Sequence, residues 1–509
     1  MLGHRPSALD TLSIVVATAL ALGAARSKQA FHDRAEGVLG GLMPLVLLAF
    51  VAAYTAISAV IAHARLEAVG DYSQSALYGQ SFWTLLHGHP FANTHETLDG
   101  SLGSHFGVHF SPTLLVLAPL YSLWPNPQVL LAAQALAIAL VPVPVYALLA
   151  PKVGRVAAVL FGIATVAMTG LMWTGPTDFF DANFIPVLVL AMVWAMERRR
   201  WGWFAIFALA ALGVREEVGV TLVFVGAWAL LRGYGWKTAA AIAALGLVWF
   251  AVVLSLVIPA FSSPGMWTDP KRFFVSMFGQ WGETAPAALA GMLTHPVQVA
   301  RWLAAHENLV FLKDLLRPYL YLPPFGDWAS LPALPGLGVI LMSRLGFMKG
   351  GHYANLPATF LALGTLFLAL RVVGRAGETR RVATGLGLAV IVLAGTLPSL
   401  VMTSSSLTSP APPAERTARV AHAIPPGAPV YATVKLYPRL CNRDDFGCWW
   451  STYERSRDPA FRARYRFIAL WPAGDPAGER DRPLADSLSH DPRFFERPGY
   501  QPFVLFERR

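Results

Sequence analysis

Long apolar runs separated by short polar stretches recur from the N-terminus to about Met402. A helix needs roughly 20 mostly apolar residues to cross a bilayer. The pattern therefore predicts an α-helical integral membrane bundle of about 11 or 12 membrane segments, half-length helices included. The first apolar stretch, residues 11–25, is followed by Arg26, Lys28 and Arg34 and by no small-residue cleavage site. It is expected to stay attached, as a short span or an interfacial helix.

Basic residues orient the spans. Glu197-Arg198-Arg199-Arg200, the turn 232–237, Lys152 with Arg155, and the run 371–381 with its four arginines fall on the cytoplasmic side by the positive-inside bias. Residues 38–64 then run outward, and 65–109 form a long first outer loop. The run 111–124 is short and holds Pro112 and Pro119, which fits a helix at the outer interface. Residues 127–150 return inward, 156–173 go out and 183–196 come back, leaving Asp178 and Asp181 outside. About 30 residues separate Arg200 from Arg232, roughly one long span by helical rise, yet both ends belong inside. A hairpin of two half-length helices resolves this, with Arg215, Glu216 and Glu217 at its tip. Residues 238–260 run out, 261–306 form a second outer loop, 309–323 and 331–344 make a short pair, 353–370 run in and 382–402 run out.

A Ser-, Thr- and Pro-rich linker, 403–413, marks a boundary. Beyond it the chain turns polar, with strand-like runs at 429–434, 467–471 and 503–506. The expected organisation is a short membrane segment and cytoplasmic loop (1–37), a transmembrane domain (38–402), the linker, and a small extracytoplasmic α/β domain (414–509).

Composition agrees: 55% of residues are hydrophobic and 14% charged, against about 25% charged in soluble domains. The net charge of +10 is read as topology, so no nucleic-acid partner is expected, and the protein is placed in the plasma membrane as a multi-pass chain. The two cysteines, Cys441 and Cys448, either pair in an oxidising compartment or remain free thiols. The chain has no P-loop, dinucleotide fingerprint or His-Glu-x-x-His motif.

The first outer loop holds Asp71-Tyr72-Ser73-Gln74, then Gln80-Ser81-Phe82-Trp83, and ends in Ser104-His105-Phe106-Gly107-Val108-His109-Phe110-Ser111-Pro112. This arrangement resembles the membrane-protein family known as domain of unknown function 2079. Arg215-Glu216-Glu217 stands where that family has a Lys-Glu-Asp type motif, and His352-Tyr353 opens a late span. Ile424-Pro425-Pro426-Gly427 and Tyr437-Pro438-Arg439-Leu440 are similar to its soluble tail. The resemblance runs from about Leu39 to the C-terminus. The family's layout in turn resembles the GT-C glycosyltransferases, in which an acidic residue of the first outer loop serves transfer from a polyprenyl-phosphate sugar. It implies a membrane lipid environment, a lipid-linked sugar donor and an extracytoplasmic glycan, lipid or protein acceptor.

A transfer of that kind needs a base for the acceptor hydroxyl. Asp71 is the candidate; as a favoured N-cap residue followed by Gln74, it equally suits capping of the helix that follows. Asp178 and Asp181, alone or with Asp71, are candidates to hold a divalent cation (Mg or Mn) or a donor hydroxyl, or they are solvated loop acids. His105 and His109, four apart, suit zinc or a phosphate if helical, although Gly107 and Pro112 weaken that premise. Arg215 suits a donor phosphate, with Glu216 and Glu217 positioning it, or forms an internal ion pair. His352 and Tyr353 are aromatic-belt residues or lipid-phosphate contacts, and Gln80 completes the candidate substrate contacts. Two other classes compete: a transporter or flippase of lipid-linked glycans, which places its charges near the bilayer midplane, and a non-catalytic envelope scaffold.

Overall fold

The computed structural model describes residues 34, 36–68, 73–168, 170–171, 175–263, 270–406, 414–448, 455–473 and 478–509. The first apolar stretch, Asp71 and most of the linker lie outside them. Helices dominate. In chain order the principal ones are α1 (Met43–Ala68), α2 (Ser73–Leu86), α3 (Pro127–Ala139), α4 (Pro142–Val153), α5 (Arg155–Met168), α6 (Ile185–Glu197), α7 (Trp201–Leu212), α8 (Glu217–Leu231), α9 (Trp236–Val252), α10 (Asn355–Arg375) and α11 (Arg381–Ser406). Among the described residues four helices are long and apolar enough to cross a membrane: Glu36–Glu67, Pro127–Val153, Trp236–Phe261 and Gly351–Ala376. Seven shorter apolar helices accompany them.

The expected hairpin is present. Arg198 to Arg200 precede α7 and the turn after α8 carries Arg232. With 12 and 15 residues, these helices are about 18 and 22 Å long, well short of a hydrocarbon core of about 30 Å. The region 261–306 departs from the expected loop, because it folds into three short helices, Pro270–Phe278, Ala285–Thr294 and Pro296–Leu303. Prolines open them at their first two positions, where a missing N–H leaves no bond unmade.

Helix surfaces follow their solvent. α1 leaves Leu45, Leu48, Ile57 and Val60 exposed, as suits a lipid-facing helix, whereas α10 buries residues around its whole circumference, as suits a central one. Lipid tails are as apolar as leucine, so close packing has to join these helices. α8 and α9 meet at two glycine contacts: a methyl on Gly246 would lie 2.3 Å from the Gly219 carbonyl oxygen, and one on Gly226 would lie 2.6 Å from that of Ala239. The partners recur seven residues apart on each helix, about two turns, so the two backbones stay in contact along one seam.

The end of the bundle holding the α6–α7 and α8–α9 turns is closed by charge. Arg232 donates to Glu197 at 2.9 Å and to Asp327 at 2.6 Å, Arg371 donates to Asp327 at 3.0 Å, and the Tyr234 hydroxyl donates to Glu197 at 3.1 Å.

At the other end sit the first loop and the C-terminal region. A two-residue antiparallel pair, β1 (Ala92–Asn93) with β2 (Gly103–Ser104), closes the loop. The C-terminal strands β3 (Val430–Ala432), β4 (Phe446–Cys448), β5 (Phe467–Leu470), β6 (Phe494–Arg497) and β7 (Val504–Arg508) form a mixed sheet in the order β4-β3-β5-β7-β6. β3 runs parallel to β4 and β5, and β7 antiparallel to β5 and β6. This sheet is docked on the first loop: Ala76 of α2 lies in its core, the Tyr121 hydroxyl donates to Asn442 Oδ1 at 2.7 Å, and Arg439 pairs with Glu67 at the end of α1.

Replacing Gly246 by Leu forces α8 and α9 apart and is expected to remove about 1–3 kcal/mol of stability. The melting temperature of purified protein in detergent checks this, with Gly338→Ala, whose added methyl meets nothing within 4 Å, as the unaffected control.

Candidate functional site

The hairpin tip and the first loop are joined by backbone before any charge is counted. The Thr113 amide donates to the Gly213 carbonyl and its hydroxyl to the Ala210 carbonyl, both at 2.8 Å. That contact fixes the loop's exit beside the end of α7 and brings Arg215 and Glu216 against the two histidines.

Arg215 is the centre of the cluster. Its Nη2 lies 2.7 Å from His109 Nε2, and His109 Nδ1 lies 2.8 Å from Glu216 Oε1. Arg215 Nε lies 3.4 Å from Asp181 Oδ2, with both side chains only 4% exposed. Its Nη1 is 3.7 Å from Glu217, whose side chain is 43% exposed. Tyr353 presents its ring to the guanidinium at 5.9 Å, and His352 stacks on Phe180 at 4.4 Å. His105 sits one turn from His109, ring centroids 5.9 Å apart, with its Nδ1 3.0 Å from Glu96. Among the described residues, His105 Nε2 and Glu216 Oε2 are buried without a hydrogen-bond partner, and groups so placed are normally completed by water or a ligand.

The electrostatics follow from these pairs. Burial pushes the Glu96 carboxyl up, but His105 and the Asn93 amide outweigh it and hold Glu96 below its usual range. For His109, burial and Arg215 favour the neutral ring, yet Glu216 and Asp181 prevail and raise its pKa. The cluster therefore alternates cation and carboxylate, an arrangement able to bind an anionic group, orient hydroxyls and move a proton.

Asp178 does something else. It accepts from the Gln74 and Ser75 amides at 2.9 and 2.8 Å, from the Ser75 hydroxyl at 2.5 Å and from the Phe179 amide at 2.8 Å. It thus caps α2 from about a hundred residues away, taking the amides that a capping Asp71 was expected to use. These bonds give Asp178 a structural role beside the cation-holding one expected of it. Among the described residues no three His, Cys, Asp or Glu are grouped to hold a metal. Burial pushes the Asp178 carboxyl up to about 6 against these donors.

Other expected residues fall as follows. Gln80 is not brought to the cluster: its amide donates to the Arg443 carbonyl at 2.9 Å and accepts from the Thr94 amide at 2.9 Å, tying the loop to the C-terminal sheet. Cys441 is a free, buried thiol, packed where a methyl on Gly79 would meet its sulfur at 3.0 Å. The disulfide reading therefore gives way to the free-thiol one, while Cys448 enters the described structure only through its β4 backbone. Asp71 lies outside the described residues.

Two residues that carry the site were not singled out in the sequence. Glu96 pairs with His105 across the β1–β2 turn. Gln134, buried in α3, donates to the Gly175 and Asp178 carbonyls at 2.9 Å and accepts from the Phe180 amide at 2.7 Å, pinning the segment that delivers Asp181. A lone amide inside an apolar span is costly unless bonded, and that was its available signal.

A family model described as predicted membrane protein (DUF2079) matches residues 63–473. No protein of curated function matches the chain. Among solved structures, the chain is similar to ArnT from Cupriavidus metallidurans bound to undecaprenyl phosphate, with a TM-score of 0.48 and 14% identity, over 90% of this chain and 98% of that one. The apo ArnT from the same organism gives a TM-score of 0.46 and 13% identity over the same shares.

Asp178→Asn leaves one acceptor oxygen for four donors, so α2 frays and the melting temperature falls. Folding raises this carboxyl's pKa, so wild-type stability from it is fully present below about pH 4 and is lost as pH rises through about 6. The melting temperatures of both proteins across that range should diverge as pH falls.

Proposed function

Because the chain belongs to the DUF2079 family of predicted membrane proteins, and on the geometry of its charged cluster, we propose that it is a membrane glycosyltransferase. It transfers a sugar from a polyprenyl-phosphate-linked donor to an extracytoplasmic glycan, lipid or protein acceptor, in the plasma membrane.

The observation that carries this reading is the convergence of Arg215, Glu216, Asp181, His109, His105 and Glu96 at one end of the bundle. Three features of that place support a lipid-linked donor. The site lies at the end of the bundle where the first loop and the polar C-terminal sheet dock. Arg215 offers a planar guanidinium of the kind that matches phosphate oxygens. The surrounding carboxylates and histidines supply acceptors for sugar hydroxyls and a place for the acceptor's proton. The positive-inside bias puts this end outside, since Arg198 to Arg200 and Arg232 gather at the other. Asp71, just before α2, remains the carboxylate that the sequence offers as base. A transporter, the competing reading, would hold its charges near the midplane.

Cells lacking the protein are expected to accumulate one lipid-linked sugar and to lose one envelope glycan modification. Arg215→Ala at equal membrane abundance should match the deletion, and Arg215→Lys should retain a minor part of the activity, since an ammonium keeps the charge without the fork. Mass spectrometry of extracted lipids and envelope glycans decides it; unchanged lipid-linked sugars in the deletion would remove the reading.

A further inference from the structure

The two histidines of the first loop are not equivalent. Both nitrogens of His109 are engaged, one by Glu216 and one by Arg215, so it has no site left for a substrate proton. His105 is engaged on one side only. Its Nδ1 lies 3.0 and 3.1 Å from the two oxygens of Glu96, and the side chains are 2% and 5% exposed. Glu96 cannot swing away: it accepts from Asn93 Nδ2 at 2.8 Å, while Asn93 Oδ1 accepts from the His95 and Glu96 amides at 3.0 Å. The ring is boxed by Tyr78 at 4.9 Å and Phe91 at 5.7 Å.

A carboxylate facing Nδ1 fixes the hydrogen there and leaves the lone pair on Nε2. That Nε2 is buried without a partner among the described residues, and the ring lies 5.9 Å from that of His109, which in turn contacts Arg215. The ionisable groups around it are Glu96 and His109 from the loop, Tyr78 from α2, Asp181 from the segment before α6, and Arg215 and Glu216 from the hairpin tip.

We propose that His105 Nε2, oriented by Glu96 across the β1–β2 turn, is the base that takes the acceptor's hydroxyl proton. This rests on the transferase reading. In the step the acceptor O–H proton passes to Nε2 as its oxygen bonds to the sugar's anomeric carbon. The bond from that carbon to the phosphate oxygen breaks, and polyprenyl phosphate leaves with the electron pair. The imidazolium formed is held by Glu96 and returns its proton to water. His105 is then the catalytic residue and Glu96 a positioning residue.

The test uses the full chain in cells that otherwise lack it, comparing wild type, His105→Asn, Glu96→Gln and Glu96→Asp at equal membrane abundance. The disappearance of the accumulated lipid-linked sugar is followed by mass spectrometry. His105→Asn should slow turnover by about 100-fold or more, within the range for loss of a general base. Glu96→Gln should slow it less, and Glu96→Asp should recover part of the lost rate, because a carboxylate again accepts from Nδ1. A purely structural role would favour Gln, which matches Glu in size, over the shorter Asp.

Wild-type turnover in His105→Asn, with the deletion still accumulating the sugar, overturns the proposal and leaves the transferase reading standing. Turnover in Glu96→Gln equal to or faster than in Glu96→Asp also overturns it. If His105→Asn fails to reach the membrane, the order of the two Glu96 variants decides alone. A deletion that leaves lipid-linked sugars unchanged brings down the transferase reading itself, and the base with it.

Discussion

Arg215 cannot sit at the end of a lipid-embedded bundle without counter-charge. A guanidinium does not shed its proton to escape burial, and removing one partner of a buried pair costs about 3–5 kcal/mol. The rest of the site can be traced from that constraint. Asp181 faces Arg215 because Gln134 and the start of α2 pin the segment that carries it. Asn183 and Asn355, joined at 2.6 Å, then tie the entries of α6 and α10 together, which sets Tyr353 against the guanidinium. The loop histidines reach the cluster because Thr113 bonds to the end of α7. Compensation of Arg215 thus acts together with these backbone and amide contacts to hold three separate parts of the chain at one spot.

The hairpin was legible because two independent constraints agreed. Basic turns fixed both ends on one side, and the interval was too short for two full spans, so Arg215, Glu216 and Glu217 had to lie at the tip. The assignment of Asp178 and Asp181 to the same end followed from the same bookkeeping of turns. The division of labour between those two acids was not legible. Both are polar residues in a short turn, and only the fold puts the α2 amides beside one and a guanidinium beside the other. Glu96 was hidden for a related reason, since its partner is nine positions away across a turn with no regular period.

The C-terminal region was read in part. β3, β5 and β7 are apolar runs and stand out, whereas β4 is three residues long and β6 exposes the side chains of Phe495 and Glu496, so neither carries a strand's hydrophobic signature. Gln80 shows the limit of reading residue types alone. A buried amide beside an aromatic segment suits a sugar contact as well as a backbone clamp, and here both halves of the amide are spent on the chain itself. The cysteines were undecidable by spacing; the packing of Cys441 against Gly79 of α2 gives the thiol a place in an interface.

That same clamp sets an order of events during synthesis. Gln80 is bonded to a carbonyl 363 residues later in the chain, and His109 to a carboxylate 107 residues later. At about 5–20 residues per second, the loop waits roughly 20 to 70 s after its own synthesis before the surface that covers it exists. In that interval its buried polar side chains, Gln80 among them, face water. A ribosome that stops before residue 443 therefore leaves behind a loop whose amide is unpaired, which gives quality control in the membrane a simple mark of an unfinished chain.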